Sequence, residues 1–283
     1  IITVMLTDLT SSNILKIIAK KKEAEGVLAL KSGDTVVVAG EASFDKYEHD
    51  VTIRPRDICK VKRLHRTDDE EEKRFELHCH TNMSQMDGVT APEKLVKRAH
   101  DWGHRGIAIT DHGVMFGAVD FYKTAKKHGI KPIIGCEVYV APRARFDKVN
   151  KIDTSPYHLV LLCKNNIGYQ NLIKMVSMGY TEGFYNRPRI DIQLLEKYHD
   201  GLICLSACLA GRVSKKLLEN DYEGAKQTAL MLYDIFKDDF YIEIQDHGLD
   251  DQKRINPLLI KLSRELNIPL VATNDVHYLE RED

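Results

Sequence analysis

The chain has 283 residues, 43% of them hydrophobic and 29% charged, with 41 Lys and Arg set against 42 Asp and Glu. That composition belongs to a globular protein with room for one large domain and a small one, and no apolar run approaches the roughly 20 residues of a membrane span. A net charge of −1 gives no global electrostatic pull toward nucleic acid or membrane.

The amino end lacks a basic stretch followed by an apolar run and a small-residue cleavage site, so a cytoplasmic address is expected. The chain opens on Ile1 and closes on the charged run Glu280-Arg281-Glu282-Asp283, which reads as a piece of something longer. Residues 1–66 carry 12 Lys and Arg against 9 Asp and Glu, a local excess of +3. Strands are expected over 2–7, 14–19, 34–42 and 50–58, with a turn at Lys31-Ser32-Gly33-Asp34, which makes 1–66 a small all-β domain. Residues 67–74 continue a run of charged side chains and read as a solvated linker.

From 75 to 283 short apolar runs alternate with amphipathic segments of helical length. Strands are expected over 75–79, 106–109, 132–140, 158–163, 201–205, 240–244 and 269–272, and helices over 92–102, 117–128, 168–178, 222–236 and 251–266. Such alternation, with buried parallel strands, builds either an open doubly wound α/β sheet or a closed barrel. Most of these runs end in His, Asp, Glu or Cys. A (β/α) barrel gathers the carboxyl ends of its strands on one face, so the barrel is the more economical reading.

The six cysteines, at 59, 79, 136, 163, 204 and 208, form no CxxC pair, and most read as reduced core residues. Metal-ligand chemistry starts at His78 and His80, whose i, i+2 spacing places both imidazoles on one strand face. Asp87, His112, Glu137, His158, Cys208, Asp275 and His277 follow at later strand ends. Each has a bland alternative: Asp87 as a turn aspartate, His158 as a satisfied core histidine, Cys208 as a small buried hydrophobe. Their recurrence at successive strand ends favours a metal site.

The ordered series HCH, TDH, GCEVY, YHLVLL, LSAC and ATNDVHY, with GYTEGFY and QDHG, resembles the PHP domain of bacterial DNA polymerase III alpha subunits over residues 75–283. Residues 34–57 and the phrase MSQMD are similar to the PolC type, in which an OB domain precedes the PHP domain. That type carries an exonuclease inserted in the PHP region, whereas only residues 141–156 separate the third and fourth strands here. The later half is closer to the DnaE type, so either the lineage lacks the insertion or it has been removed.

The resemblance implies a distorted (β/α)7 barrel preceded by an OB-like domain, and two to three divalent ions. One ion would be held by His78, His80, Glu137 and Asp275, a second by Glu137, His158 and Cys208, and a third by Asp87, His112 and His277. Glu137, Asp275 and His277 would be the catalytic members. Imidazole and carboxylate with one thiolate suit zinc, manganese or iron better than magnesium.

Asp111 is a candidate for orienting a ligand imidazole, and the pair Asp246-His247 for orienting a ligand or binding substrate. Arg143, Arg145, Arg187 and Arg189 are candidates for substrate phosphates. In the front end, Lys20, Lys21, Lys22, Arg54, Arg56, Lys60, Lys62 and Arg63 are candidates for single-stranded DNA. Phe44 and Tyr47 are the only aromatics there, so backbone contact is expected to dominate.

The implied activity is 3′–5′ exonucleolytic removal of nucleotides from DNA, with the rest of the polymerase subunit as partner and no membrane. The alternatives are a metal-stabilised scaffold without catalysis and a stand-alone phosphatase of small substrates such as histidinol phosphate.

Overall fold

The computed structural model describes residues 2–7, 12–18, 25–62, 67–280 and 283. Lys20, Lys21, Lys22 and Arg63, the last residue of the strand expected over 14–19, and Arg281 and Glu282 lie outside the described residues. Two compact units meet in sequence at Thr67 and Asp68.

The first unit contains β1 (Ile2–Thr7), β2 (Ser12–Ile17), the short helix α1 (Glu25–Leu28), β3 (Val36–Asp45) and β4 (Asp50–Lys60). They form a sheet in the order β1-β2-β4-β3, in which β2 and β4 run parallel and the outer pairs antiparallel. The β-branched run Val36-Val37-Val38 starts a long hairpin that bulges between Ala39 and Gly40. A Cβ at Gly40 would sit 2.4 Å from the Arg54 carbonyl oxygen, so the crossing needs glycine. Leu15 and Ile17 are buried, as are Thr52 and Asp45. No ladder joins β1 to β3 among the described residues, which form an open sheet there and not a closed barrel.

The second unit is built around β5 (Gly106–Ile109), β6 (Lys131–Val140), β7 (Tyr157–Cys163), β9 (Leu202–Leu205), β10 (Phe240–Ile244) and β11 (Leu270–Ala272). These lie in the order β11-β10-β9-β7-β6-β5, with the two-residue β8 (Arg189–Ile190) added to β6. The segment 76–80 closes the curl. Glu76 bridges to Ile107 on one side and Cys79 to Val276 on the other, and the His80 amide donates to the Val276 carbonyl at 2.7 Å. Seven segments therefore make the distorted α/β barrel, although the one expected as a strand over 75–79 contributes bridges and no continuous ladder.

One expectation needs correction: the strands are not all parallel. β7 runs antiparallel to both β6 and β9. Residues 141–156 contain no helix, so the chain returns directly instead of making the crossover that a parallel pair requires.

Packed around the sheet are α2 (Pro92–Asp101), α3 (Ala118–Lys127), α4 (Asn166–Thr181), α5 (Ile192–Tyr198), α6 (Arg212–Leu218), α7 (Tyr222–Phe236) and α8 (Asp250–Leu266). α5 and α6 span only seven residues each, too short for a periodic signal. The period-2 alternation of strands sorts the core. Cys136, Val138, Leu159, Leu161, Cys204 and Ile242 join the helices in one cluster. Ile133, Val160, Leu162, Ile203, Leu205, Tyr241 and Val271 pack with one another inside the barrel. Among the described residues, no helix is long and apolar enough to cross a membrane.

Candidate metal centre

The inward parity of β6, β7, β10 and β11, apolar along most of its length, ends in a polar group. Ile133 leads to Glu137 on β6, Tyr241 to Glu243 on β10, Val271 to Asp275 beyond β11, and Leu162 and Val160 back to His158 on β7. Because β7 is reversed, His158 stands at its start and still meets the others. It faces Tyr139 across the β6–β7 ladder, while His112 bridges to Glu137 from the β5 side.

Glu137 is the centre of the cluster and is 1% exposed. His78 Nε2 lies 3.4 Å from its Oε1 and His80 Nε2 3.4 Å from its Oε2. The same two nitrogens lie 3.3 and 3.2 Å from Asp275 Oδ1. His78 Nε2, His80 Nε2, Glu137 Oε2 and Asp275 Oδ1 are buried without a well-directed hydrogen bond, the close approach of His112 Nδ1 to Glu137 Oε2 included. Leaving such groups unpaired costs free energy. Ligands about 2.0–2.1 Å from a tetrahedral ion are separated by about 3.3 Å along each edge, so these spacings fit a divalent cation in their midst.

Two further sets adjoin this one. His158 Nδ1 is 3.0 Å from Glu137 Oε1, and Cys208 Sγ is 3.8 Å from both. On the other side His112 Nε2 is 2.9 Å and His277 Nε2 3.6 Å from Asp87 Oδ2. His112 Nδ1 turns to Glu137 Oε2 at 2.7 Å, and the rings of His80 and His277 stack with centroids 4.3 Å apart. All nine residues therefore share one neighbourhood. Donor atoms of His78, His80 and Glu137, of His112, Glu137 and His158, and of His80, His112 and His277 lie within 4.8 Å of one another in each trio.

The surrounding hydrogen bonds fix which nitrogen each ring offers. His78 Nδ1 donates to Glu243 Oε1 at 2.7 Å, leaving the Nε2 lone pair for the centre. Glu243 is itself held by Gln245 Nε2 at 2.9 Å and by the Thr273 hydroxyl. His80 Nδ1 donates to Ser84 Oγ at 2.9 Å; that hydroxyl donates to Asp111 Oδ1 at 2.7 Å and accepts the His112 amide at 3.1 Å. Every donor and acceptor of Ser84 is then in use. Asp111 thus acts on His80 through Ser84, not on the imidazole of its neighbour His112. Its remaining bonds are to the Thr81 amide and hydroxyl. A Cβ at Gly88 would meet the Thr81 carbonyl oxygen at 2.1 Å, so the turn carrying Asp87 depends on that glycine.

Electrostatics point the same way. Burial opposes ionisation of Glu137 and Asp275, yet the imidazoles around them hold Glu137 well below the usual carboxylate range and Asp275 at about 2. Burial alone would depress His78, but Glu243, Glu137 and Asp275 raise it well above the ordinary imidazole value. Burial brings His80 down to about 4. Burial and the nearby carboxylates push the Cys208 thiol up. A cation at the centre would supply the positive charge that favours the ionised form of these carboxylates.

The candidate phosphate-binding arginines separate sharply. Arg189 is completely buried, and its guanidinium donates to the carbonyls of Gly183, Asp153, Arg145 and Asp147 at 2.9–3.0 Å. It is a structural tie and is withdrawn as a nucleic-acid contact. Arg143 is paired with Asp153 at 2.6 Å and Arg145 with Asp191 at 3.0 Å. Arg187 is exposed and lies 5.6 Å over the Tyr139 ring, which itself packs on His112 and His158.

In the first unit Arg56 pairs with Glu41 at 2.7 Å and Lys60 with Asp34 at 2.6 Å, while Arg54 and Lys62 are exposed on and just beyond β4. Sequence reasoning did not single out Ser84, Glu243 or Tyr139. Glu243 did leave a signal: an acid at the inward parity of the otherwise apolar strand FYIEI.

Imidazoles, carboxylates and one thiol, gathered at one mouth of the curled sheet and oriented by buried partners, define an α/β module with a candidate metal site. The sequence pattern of the PHP domain matches residues 76–247, and the chain belongs to that family. Over 208 residues it is 49% identical to the DNA polymerase III subunit alpha of Borreliella burgdorferi, and over 209 residues 49% identical to that of Treponema pallidum. The same subunit of Campylobacter jejuni is 46% identical over 216 residues. In each case 73% of this chain is covered, and it spans 18% of the relative's length.

Proposed function

We propose that this chain is the PHP module of a DNA polymerase III alpha subunit and that it binds two to three zinc, manganese or iron ions and removes nucleotides from DNA 3′ ends. The observation that carries the reading is the convergence of buried, unpartnered donors of His78, His80, Glu137 and Asp275 on one point. Bound ions would activate water and neutralise a phosphate oxygen, the needs of phosphodiester hydrolysis. His78 and His80 keep their Nε2 atoms turned inward because Glu243 and Ser84 hold the other nitrogen. Arg187, exposed beside Tyr139, offers its guanidinium to a strand phosphate.

Near the ligands Asp87, His112 and His277 in sequence, Met86, Phe116 and Tyr278 are strongly exposed. They offer apolar surface to unpaired bases, which supports a single-stranded 3′ end over a small phosphomonoester. The first unit, through Arg54 and Lys62, would add salt-sensitive backbone contact, and the rest of the polymerase subunit would be the protein partner.

The test uses wild type and Glu137→Ala, each measured for metal content and for release of nucleotide from a single-stranded 3′ end. Wild type should hold two to three ions and release nucleotide; the variant should lose both properties. A wild-type chain that holds its ions yet releases nothing with zinc, manganese or iron is a scaffold. Faster hydrolysis of histidinol phosphate than of any DNA end would make it a small-molecule phosphatase.

A further inference from the structure

Asp275 is a non-glycine residue with φ of +48°, a conformation that L side chains adopt rarely and at a cost. The peptide groups of its predecessor Asn274 are gripped from two sides. The Asn274 amide donates to Glu76 Oε1 at 3.0 Å, and the Asn274 carbonyl lies 2.7 Å from His247 Nε2. His247 is locked in turn by Gln252, which is 3% exposed: Gln252 Oε1 accepts the His247 amide at 2.7 Å and Gln252 Nε2 donates to His247 Nδ1 at 2.9 Å. Because Nδ1 accepts, the proton sits on Nε2, and Nε2–H donates to the Asn274 carbonyl. Both ring nitrogens are thereby committed, so His247 has none left for an ion or a proton relay.

We infer that His247 is a positioning residue which, with Gln252 behind it and Glu76 opposite, holds the Asn274–Asp275 turn in the form that presents Asp275 to the metal centre. This rests on the metal reading above. The brace spans three elements: the segment that also carries His78 and His80, the turn after β10, and the start of α8. It accounts for the QDHG segment, which no ligand set uses.

The experiment measures ion content by elemental analysis and affinity by competition with a chromophoric chelator, alongside the melting temperature of the chelated protein. His247→Ala should weaken binding roughly 10- to 100-fold, the range for a lost partner behind a ligand. His247→Gln keeps an N–H that can reach the same carbonyl and should restore wild-type ion content. Gln252→Met, close in shape and without either hydrogen bond, should weaken binding in the same direction and serves if His247→Ala does not fold.

Wild-type affinity in His247→Ala, or no recovery in His247→Gln, would overturn the inference while leaving the metal reading intact. A wild-type chain that binds no ion would overturn both.

Discussion

Replacing Arg189 separates a structural role from a nucleic-acid role at one position. Arg189→Met keeps an unbranched apolar stem beneath Tyr185, over whose ring the guanidinium now lies at 5.2 Å, but removes every donor. The carbonyls of Gly183, Asp153, Arg145 and Asp147 would then lose their shared partner. Four bonds served by a single group do not add, so the sum of separate charged hydrogen bonds overstates the loss. Leaving a buried acceptor unsatisfied costs about 1–3 kcal/mol, and four carbonyls that share one partner cost more than one alone, about 3–5 kcal/mol in all. At about 2–4 °C per kcal/mol for a domain of this size, the melting temperature should fall by about 6–20 °C. Calorimetry of the metal-free chain reads that shift. In parallel, the salt dependence of single-stranded DNA binding should keep its slope. An unchanged melting temperature, together with a slope reduced by about one, would refute the reasoning and restore Arg189 to the DNA surface.

Two other perturbations probe different parts of the molecule. Ser84→Ala removes the acceptor of His80 Nδ1 and of the His112 amide but leaves Asp111 its Thr81 bonds. Ion affinity, read by chelator competition, should fall roughly 10- to 100-fold, with the melting temperature of the first unit unchanged. In that unit the Lys16 ammonium and the Tyr47 and Glu48 amides hold Asp45 at about 2. A depressed carboxylate stabilises the fold above its unfolded value of about 3.9 and loses that contribution as pH falls through its folded value. Hydrogen-exchange protection of the β3–β4 hairpin should therefore decline between about pH 4 and about pH 2, and Asp45→Asn should reduce that step to what the Asp34–Lys60 pair contributes.

The candidate site was legible because ligand-type residues interrupt apolar strand runs, and an interruption is visible without any contact information. Largely apolar runs bounded by charged or Gly-containing segments likewise placed β5 and β10 at their observed bounds. What the sequence hid were facts that live in three dimensions. Arg189 has the same sequence neighbours, Pro188 before it and Ile190 after it, whether it faces solvent or four carbonyls. Asp111 precedes a ligand histidine, which suggests contact with that histidine, yet the turn at 81–84 brings Ser84 to it first. In the first unit the strands were readable from β-branched runs, but pairing order was not. A period-2 pattern specifies a face and not a neighbour.

The reversal of β7 matters more for function than for fold class. In an all-parallel barrel only residues at strand carboxyl ends reach the catalytic face. A strand entering from that face delivers its first residues there instead, and His158 is the second residue of β7. The antiparallel register sets His158 against Tyr139, two residues beyond Glu137 on the same side of β6, so imidazole and carboxylate meet at 3.0 Å. Cys208 then completes that set from the turn after β9, the other antiparallel neighbour of β7. A direct return through 141–156, rather than a crossover helix, is therefore what brings His158 and Cys208 up against the cluster of His78, His80 and Asp275, with Glu137 between them.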